Sequence, residues 1–216
     1  MNRDILPNLR QNYESPILTR DQLRADPVEQ FLAWFDDALA ANVEEPNAMT
    51  LATANAEGRP SARVVLLKDV RPEGFVFYTN YGSRKARHLL ENPFASLVFL
   101  WLKLHRQVRV EGRVEKIPRE WSEKYFQSRP KESQIGAWAS PQSEVIESRD
   151  VLEKRVAELS EKYRDAPALP LPDNWGGFIV YPEEIEFWQG QPSRLHDRFR
   201  YTKTPGGNWQ IDRLAP

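Results

Sequence analysis

The stretch Gln107-Val108-Arg109-Val110-Glu111-Gly112-Arg113-Val114-Glu115-Lys116-Ile117 decides the fold class. Small and apolar residues (Val108, Val110, Gly112, Val114) alternate with charged or polar ones. A period of two belongs to a strand with one face buried and one face wet. Working outward, Met49–Ala54, Ala62–Asp69, Gly74–Thr79 and Ala95–Leu102 are short, β-branched or aromatic segments. Turn signals at Glu57-Gly58 and Pro72-Glu73-Gly74 separate them. Further strands are expected at Gly177–Tyr181, Ile185–Gln189, Leu195–Lys203 and Trp209–Arg213. Hairpin-length links between them point to an antiparallel sheet or barrel, mainly β in class.

Helices decorate this sheet. Asp26 is a natural N-cap and Pro27 a natural first helical residue. Val28, Phe31, Leu32, Phe35 and Leu39 then recur at helical spacing, which predicts a buried face. Ser83 opens a helix to about Glu91, Pro118 one to about Ser128, and Pro130 one to about Trp138. Ser148–Arg164 is another, followed by a proline-rich connector to Pro172. Residues 1–26 are polar and aperiodic, an extended and partly mobile arm, and 27–216 read as a single domain.

Composition narrows the chemistry. The 216 residues are 40% apolar and 11% aromatic, enough for a core and far from a disordered composition. Thirty Lys and Arg against 31 Asp and Glu leave a formal charge of −1. No basic excess exists to bind nucleic acid or an anionic membrane. Cysteine is absent, which removes disulfides, thiolate nucleophiles and cysteine metal sites. His88, His105 and His196 are the only histidines and lack metal-ligand spacing, so no metal site is expected. No apolar run has the length of a membrane span, and the start lacks a signal-peptide pattern. The expectation is a soluble, cytoplasmic protein.

Four constellations stand out. Arg84 and Lys85 follow Gly82-Ser83 in the first turn of a helix, where cations oppose the helix dipole. They either point into water or serve an anion such as a phosphate. Arg63 and Lys68 bracket the apolar run Val64-Val65-Leu66-Leu67, which reads as a central strand with its charges on opposite faces, or as a strand with solvated ends. Tyr125, Arg129 and Ser133 are spaced by four, so they form either an oxyanion clamp along a helix, kinked at Pro130, or ordinary surface polarity. Arg194, His196 and Arg198 alternate, which in a strand puts them on one face. Like charges ~7 Å apart there repel by about 2 kcal/mol at an effective dielectric near 20, so the row needs water, an anion or an electron-rich ligand. Two anion sites without metal or thiol chemistry point to a phosphorylated cofactor and a phosphorylated substrate.

Arg63-Val-Val-Leu-Leu-Lys68, Phe77-Tyr-Thr-Asn80, Gly82-Ser-Arg-Lys85, Tyr125-Phe-Gln-Ser-Arg-Pro130, Ser133-Gln-Ile-Gly-Ala-Trp138, Glu186-Phe-Trp-Gln-Gly190, Arg194-Leu-His-Asp-Arg-Phe199 and Asp212-Arg-Leu-Ala-Pro216 occur in that order. Together they resemble the pyridoxine/pyridoxamine 5′-phosphate oxidase family, over nearly the whole chain from Leu9. The resemblance implies an antiparallel Greek-key split β-barrel (α+β, mainly β) with peripheral helices, homodimeric, with FMN at the subunit interface. It implies oxidation of pyridoxine or pyridoxamine 5′-phosphate to pyridoxal 5′-phosphate, with O₂ reduced to H₂O₂. By position, Arg63, Val64, Val65, Leu66, Leu67, Lys68, Tyr78, Thr79, Arg84, Lys85, Gln107, Gln142, Ser143, Trp188 and Arg198 would contact FMN. Lys68, Tyr125, Arg129 and Ser133 would hold the substrate phosphate. Arg194, Leu195 and His196 would lie against the substrate ring, with Arg194 and His196 the catalytic pair, and Arg10 and Tyr13 would close over it. Another FMN split-barrel oxidoreductase, nitroreductase-like or a flavin reductase, would not need the Tyr125/Arg129/Ser133 clamp, and a non-catalytic flavin- or pyridoxal-phosphate-binding protein would bind ligand yet consume no O₂.

Overall fold

Asp26 Oδ1 accepts hydrogen bonds from the Val28 amide at 2.7 Å and the Glu29 amide at 3.3 Å. Pro27 occupies the first helical position, where no N–H is needed, and α1 runs Pro27–Ala40. The computed structural model describes Ile5, Asn8, Leu9 and residues 12–216. Its further elements are β1 Ala48–Ala54, β2 Pro60–Leu66, β3 Asp69–Arg71, β4 Gly74–Asn80, α2 Arg84–Glu91, β5 Phe94–Trp101 and β6 Arg106–Lys116. Then come α3 Arg119–Ser128, α4 Lys131–Ala139, α5 Arg149–Lys162, β7 Trp175–Gln189, β8 Asp197–Lys203 and β9 Trp209–Arg213. The strands hydrogen-bond in the order β2-β1-β5-β6-β7-β4-β3, with β8 joined to β7 and β9 to β8. β3–β4, β4–β7, β7–β8 and β8–β9 are all antiparallel.

The chain groups into two compact units. One comprises the described part of Met1–Met49 with Leu97–Glu111 and Pro182–Pro216. Its core is aromatic: Phe31 packs on Phe99 with ring centroids 4.8 Å apart, and Trp34 stands edge-on to Phe187 at 5.1 Å. Met49 is buried there too. The other unit comprises Thr50–Ser96 and Gly112–Tyr181. It buries Phe126, Ile135, Leu169, Leu171 and Trp175 as one cluster, and Val76, Ile117 and Ile179 as another.

Several expectations shift. The buried face of α1 is Val28, Phe31, Trp34 and Ala38, whereas Leu32 and Leu39 are 42% and 52% exposed. A stripe through 31, 34 and 38 lies one residue away from the one the leucines suggested. β2 is an edge strand, not a central one, and Val64 is 68% exposed. The two strands expected around Pro182 are one strand, β7. Pro182 falls between the β4 register, which ends at Val180, and the β8 register, which begins at Glu184, so its missing N–H interrupts neither ladder. β8 begins only at Asp197. Ser193 and Arg194 take φ of 56° and 63° in a tight turn before it, so Arg194 and His196 do not share a strand face.

Candidate active site

Two pockets hold most of the residues singled out above, and no residue lines both. The first belongs to the unit built on Thr50–Ser96 and Gly112–Tyr181. It is a cavity of about 320 Å³ walled by Arg63, Val64, Val65, Leu66 and Lys68 on one side, and by Tyr78, Thr79, Lys85, Tyr125, Arg129 and Gln142 on the others. Arg63 and Lys68 therefore meet at one pocket, contrary to the opposite-face expectation. β2 stops at Leu66, and the chain then turns Leu67 into the core and frees Lys68 from strict alternation.

Ser83 caps α2, its Oγ accepting from the Ala86 amide at 3.4 Å. That places Lys85 in the first turn, where its Nζ donates to Gln142 Oε1 at 2.8 Å and Thr79 Oγ1 at 3.2 Å. Arg63 reaches inward from β2 to the Leu51 carbonyl at 3.0 Å and Thr53 Oγ1 at 2.9 Å. Burial lowers the Lys85 ammonium pKa, and Arg63 adds to the shift. Burial likewise lowers Arg63, and Arg84 adds to it. Among the described residues, none of Arg63, Arg84, Lys85 or Arg129 forms an ion pair with a carboxylate. Arg63, Lys85 and Arg129 line this pocket partly desolvated and without a carboxylate partner, an arrangement that an anion would stabilise.

Tyr78, Tyr125 and Trp175 form a wall of three nearly parallel rings, with Tyr78 3.9 Å from Tyr125 and 5.4 Å from Trp175. Burial pushes the Tyr78 phenol up to about 12, so it stays a neutral donor. Arg129 lies over Trp175 at 4.9 Å, and its Nη1 is buried without a hydrogen-bond partner. An orphaned, charged donor in a pocket wall is costly unless a ligand accepts from it. Arg129 also lines an adjoining hollow with Ser133. The helical stacking expected of Tyr125, Arg129 and Ser133 does not hold, because α3 ends at Ser128 and Arg129 is extended. The break at Pro130 turns the guanidinium toward both hollows. Trp175 and Asn80 also wall these hollows and were missed. Only the Trp-Gly-Gly run opening β7, where side-chain-free positions let rings approach, hints at Trp175.

Of the other candidates, Leu67 is buried in the core and Arg84 is exposed on α2. Ser143, at φ 75°, follows Gln142 in a loop, and Gln107 sits on β6 outside both pockets. Arg198 is engaged by buried Glu186, at 2.8 and 3.1 Å, and by the Ala215 carbonyl at 2.9 Å. Leu195 is 69% exposed. Arg10 lies outside the described residues.

The second pocket, of about 510 Å³, belongs to the other unit and is lined by Leu9, Asn12, Tyr13, Trp188, Gln191, Ser193, Arg194 and His196. The His196 ring lies 4.6 Å from Trp188 and 5.8 Å from Tyr13. Gly190 makes this possible: a Cβ there would stand 2.9 Å from Tyr13 Cγ and 3.0 Å from His105 Cβ. The Gln191 amide donates to His196 Nδ1 at 3.1 Å. Neutral His196 thus keeps its proton on Nε2. Burial lowers its pKa, and Arg194 and Arg198 lower it further.

The chain is similar to known proteins over nearly its whole length. Residues 35–163 match the family model described as pyridoxamine 5′-phosphate oxidase, and 175–216 match the pyridoxine 5′-phosphate oxidase C-terminal dimerisation region. A pyridoxine/pyridoxamine 5′-phosphate oxidase of Salinibacter ruber is 56% identical over 212 residues, 98% of this chain and 99% of its own. One from Burkholderia multivorans is 56% identical over 214 residues, covering 98% and 99%. Among solved structures, PhzG of Burkholderia lata 383, in complex with tetrahydrophenazine-1-carboxylic acid, superposes with a TM-score of 0.87 at 31% identity, over 94% of this chain and 99% of its own. A pyridoxamine 5′-phosphate oxidase-related, FMN-binding protein of Nostoc punctiforme shares the fold, with a TM-score of 0.67 at 18% identity, covering 85% and 96%. The expected split-barrel class is borne out. With near-complete coverage at this identity, and both cationic and aromatic walls in place, the chain belongs to the pyridoxine/pyridoxamine 5′-phosphate oxidase family.

Proposed function

We propose that this protein is an FMN-dependent oxidase of vitamin B6 phosphates, converting pyridoxine 5′-phosphate and pyridoxamine 5′-phosphate to pyridoxal 5′-phosphate. The alcohol plus O₂ gives aldehyde plus H₂O₂; the amine plus O₂ and water gives aldehyde, ammonia and H₂O₂. The observation that carries this reading is that Arg63, Lys85 and Arg129, none paired with a carboxylate and the last with an orphaned Nη1, line one aromatic-walled cavity. The donor set fits two phosphates. Arg63, Arg84 and Lys85, with Thr79 and Gln142, hold that of FMN; Lys68, Tyr125, Arg129 and Ser133 hold that of the substrate. Bound flavin supplies the two-electron acceptor that O₂ re-oxidises.

The chain's own residues bind and orient. Val64 to Leu66 and Tyr78 shape the flavin site, with Ser143 beside Gln142 in the neighbouring loop. Arg194 packs against the substrate ring, with Leu195 beside it. His196, proton on Nε2, donates to a ring substituent, and Tyr13, with Arg10, closes the ring site. Positioning is the main contribution expected where a cofactor carries the redox step. The working form is a homodimer, and its place the cytoplasm.

The test is spectroscopic. The protein is loaded with FMN and mixed anaerobically with pyridoxine 5′-phosphate, with unphosphorylated pyridoxine as control. The expected result is bleaching by the phosphate ester alone, and peroxide on admitting air. A protein that takes up no FMN, or bleaches equally with both compounds, would falsify the reading. FMN uptake without bleaching by either compound would favour a flavin reductase or a carrier.

A further inference from the structure

Asp197 is 3% exposed and does not line the pocket of Trp188, Arg194 and His196, yet it is bonded to Gln191, which does line it, and to the arm behind Tyr13. Its Oδ2 accepts from the Leu18 amide and from Gln191 Nε2, each at 2.9 Å. Its Oδ1 accepts from Arg213 on β9. Gln191, itself buried, donates through the same Nε2 to the Pro16 carbonyl at 2.9 Å, and through its backbone N–H to His196 Nδ1. One carboxylate and one carboxamide therefore join the N-terminal arm to the turn that carries Arg194, and the backbone N–H of the same glutamine holds the ring of His196. The arm residues so fixed, Pro16 and Leu18, lie just beyond Tyr13. Tyr13 packs on His105 and Trp188 and forms one wall of the pocket.

We infer that Asp197 and Gln191 form a latch that fixes the arm on this pocket and sets the azimuth of His196, making Asp197 a positioning residue for ring binding. The inference rests on the proposed oxidase reading for its substrate, but not for the latch itself. Asp197 has no atom available for the substrate, since its described partners are the arm, the turn and β9. Its effect must pass through Tyr13 and His196. Gln191 is suited to the task because its amide group supplies two donors to two acceptors on different segments. Glutamate there would set an acceptor against both.

The test uses the FMN-loaded full chain and a double-mutant cycle. Asp197→Asn sets an amide donor against one of the donors that the carboxylate now accepts from. Hydrogen bonds to a charged group predict a rise in KM for pyridoxine 5′-phosphate of about ten- to a hundredfold. The kcat should change by less than about threefold and flavin affinity stay at the parent value, because the lost interaction fixes a wall of the substrate-ring pocket rather than a flavin contact. In a Tyr13→Ala background, Asp197→Asn should raise KM by a clearly smaller factor than in the parent, because the share that passes through Tyr13 is already lost. Tryptic cleavage after Arg20 should be several-fold faster in Asp197→Asn than in the parent. Full additivity with Tyr13→Ala, loss of flavin in step with KM, or unchanged cleavage after Arg20 overturns the latch. If Asp197→Asn fails to fold, Gln191→Ala runs the same cycle, since it leaves Leu18 and Arg213 on Asp197. A parent protein that does not oxidise the ester sinks the oxidase reading instead, and cleavage after Arg20 alone then decides the latch.

Discussion

Arg129 shows how a single side chain reports its ligand. Burial lowers its pKa, and one of its nitrogens has nothing to donate to. Arg129→Ala should therefore raise KM for the phosphorylated substrate about ten- to a hundredfold while leaving bound flavin unchanged, read from steady-state kinetics and the flavin spectrum. Lys85 makes a linked argument through pH. Its folded pKa lies below the ordinary 10.5 of the unfolded chain. Between those values the unfolded chain holds a proton that the folded chain releases, so flavin-free protein gains stability as pH rises toward 10.5. Urea midpoints from about pH 8 to 10 should show this gain in the parent and a smaller one in Lys85→Met. His196 titrates below its ordinary 6.5, and protonation removes the Nδ1 acceptor that Gln191 uses. An acid limb in kcat/KM should thus lie below pH 6.5, with the ring neutral and competent above it. His196→Gln, which keeps a donor amide, should lack that limb.

At the scale of elements, β7 sets the aromatic wall. A Cβ on Gly177 would stand 2.5 Å from Ile117 Cδ1 and 3.0 Å from Tyr78 Cε1. Gly177→Ala should cost about 1–3 kcal/mol through overpacking, and by shifting Tyr78 it should also weaken flavin binding. Thermal denaturation and flavin titration check the two effects; a stable variant that binds flavin normally would show the close approach to be slack. Elements with strong local signals were legible in the sequence. Asp26-Pro27 fixed the start of α1, and the valine alternation fixed β6. Those that depend on tertiary partners were not. Nothing local to Leu32 says that Trp34 takes the core instead. Nothing local to Arg194 announces a left-handed turn, because the alternation of charges there fits a strand equally well.

At the scale of the molecule, the site residues were legible as chemistry but not as geometry. Arg63 and Lys68 could be picked out as anion ligands, yet their meeting in one pocket depends on where β2 ends. Trp175 carried almost no signal, since its role comes from two rings more than forty positions earlier in the chain. Assembly is the other property only the whole chain expresses. Leu100 and Leu102 are 54% and 69% exposed, large apolar side chains that water would be expected to leave covered. Light scattering should give two chains per particle, and Leu100→Asp with Leu102→Asp should shift the protein toward one chain and lower its flavin content. Unchanged mass would place the contact elsewhere.

The burial of Met49 carries one more consequence. The chain has no cysteine and two methionines, Met1 and Met49, and Met49 is 1% exposed. Thiols and thioethers are the side chains that peroxide attacks first, and accessibility governs the attack. In the proposed reaction every turnover releases that oxidant beside the protein. Beyond the first residue, this catalyst offers its own by-product almost no accessible sulfur, so it should lose little activity after prolonged incubation with millimolar peroxide. Peptide mass spectra should show Met49 free of added oxygen.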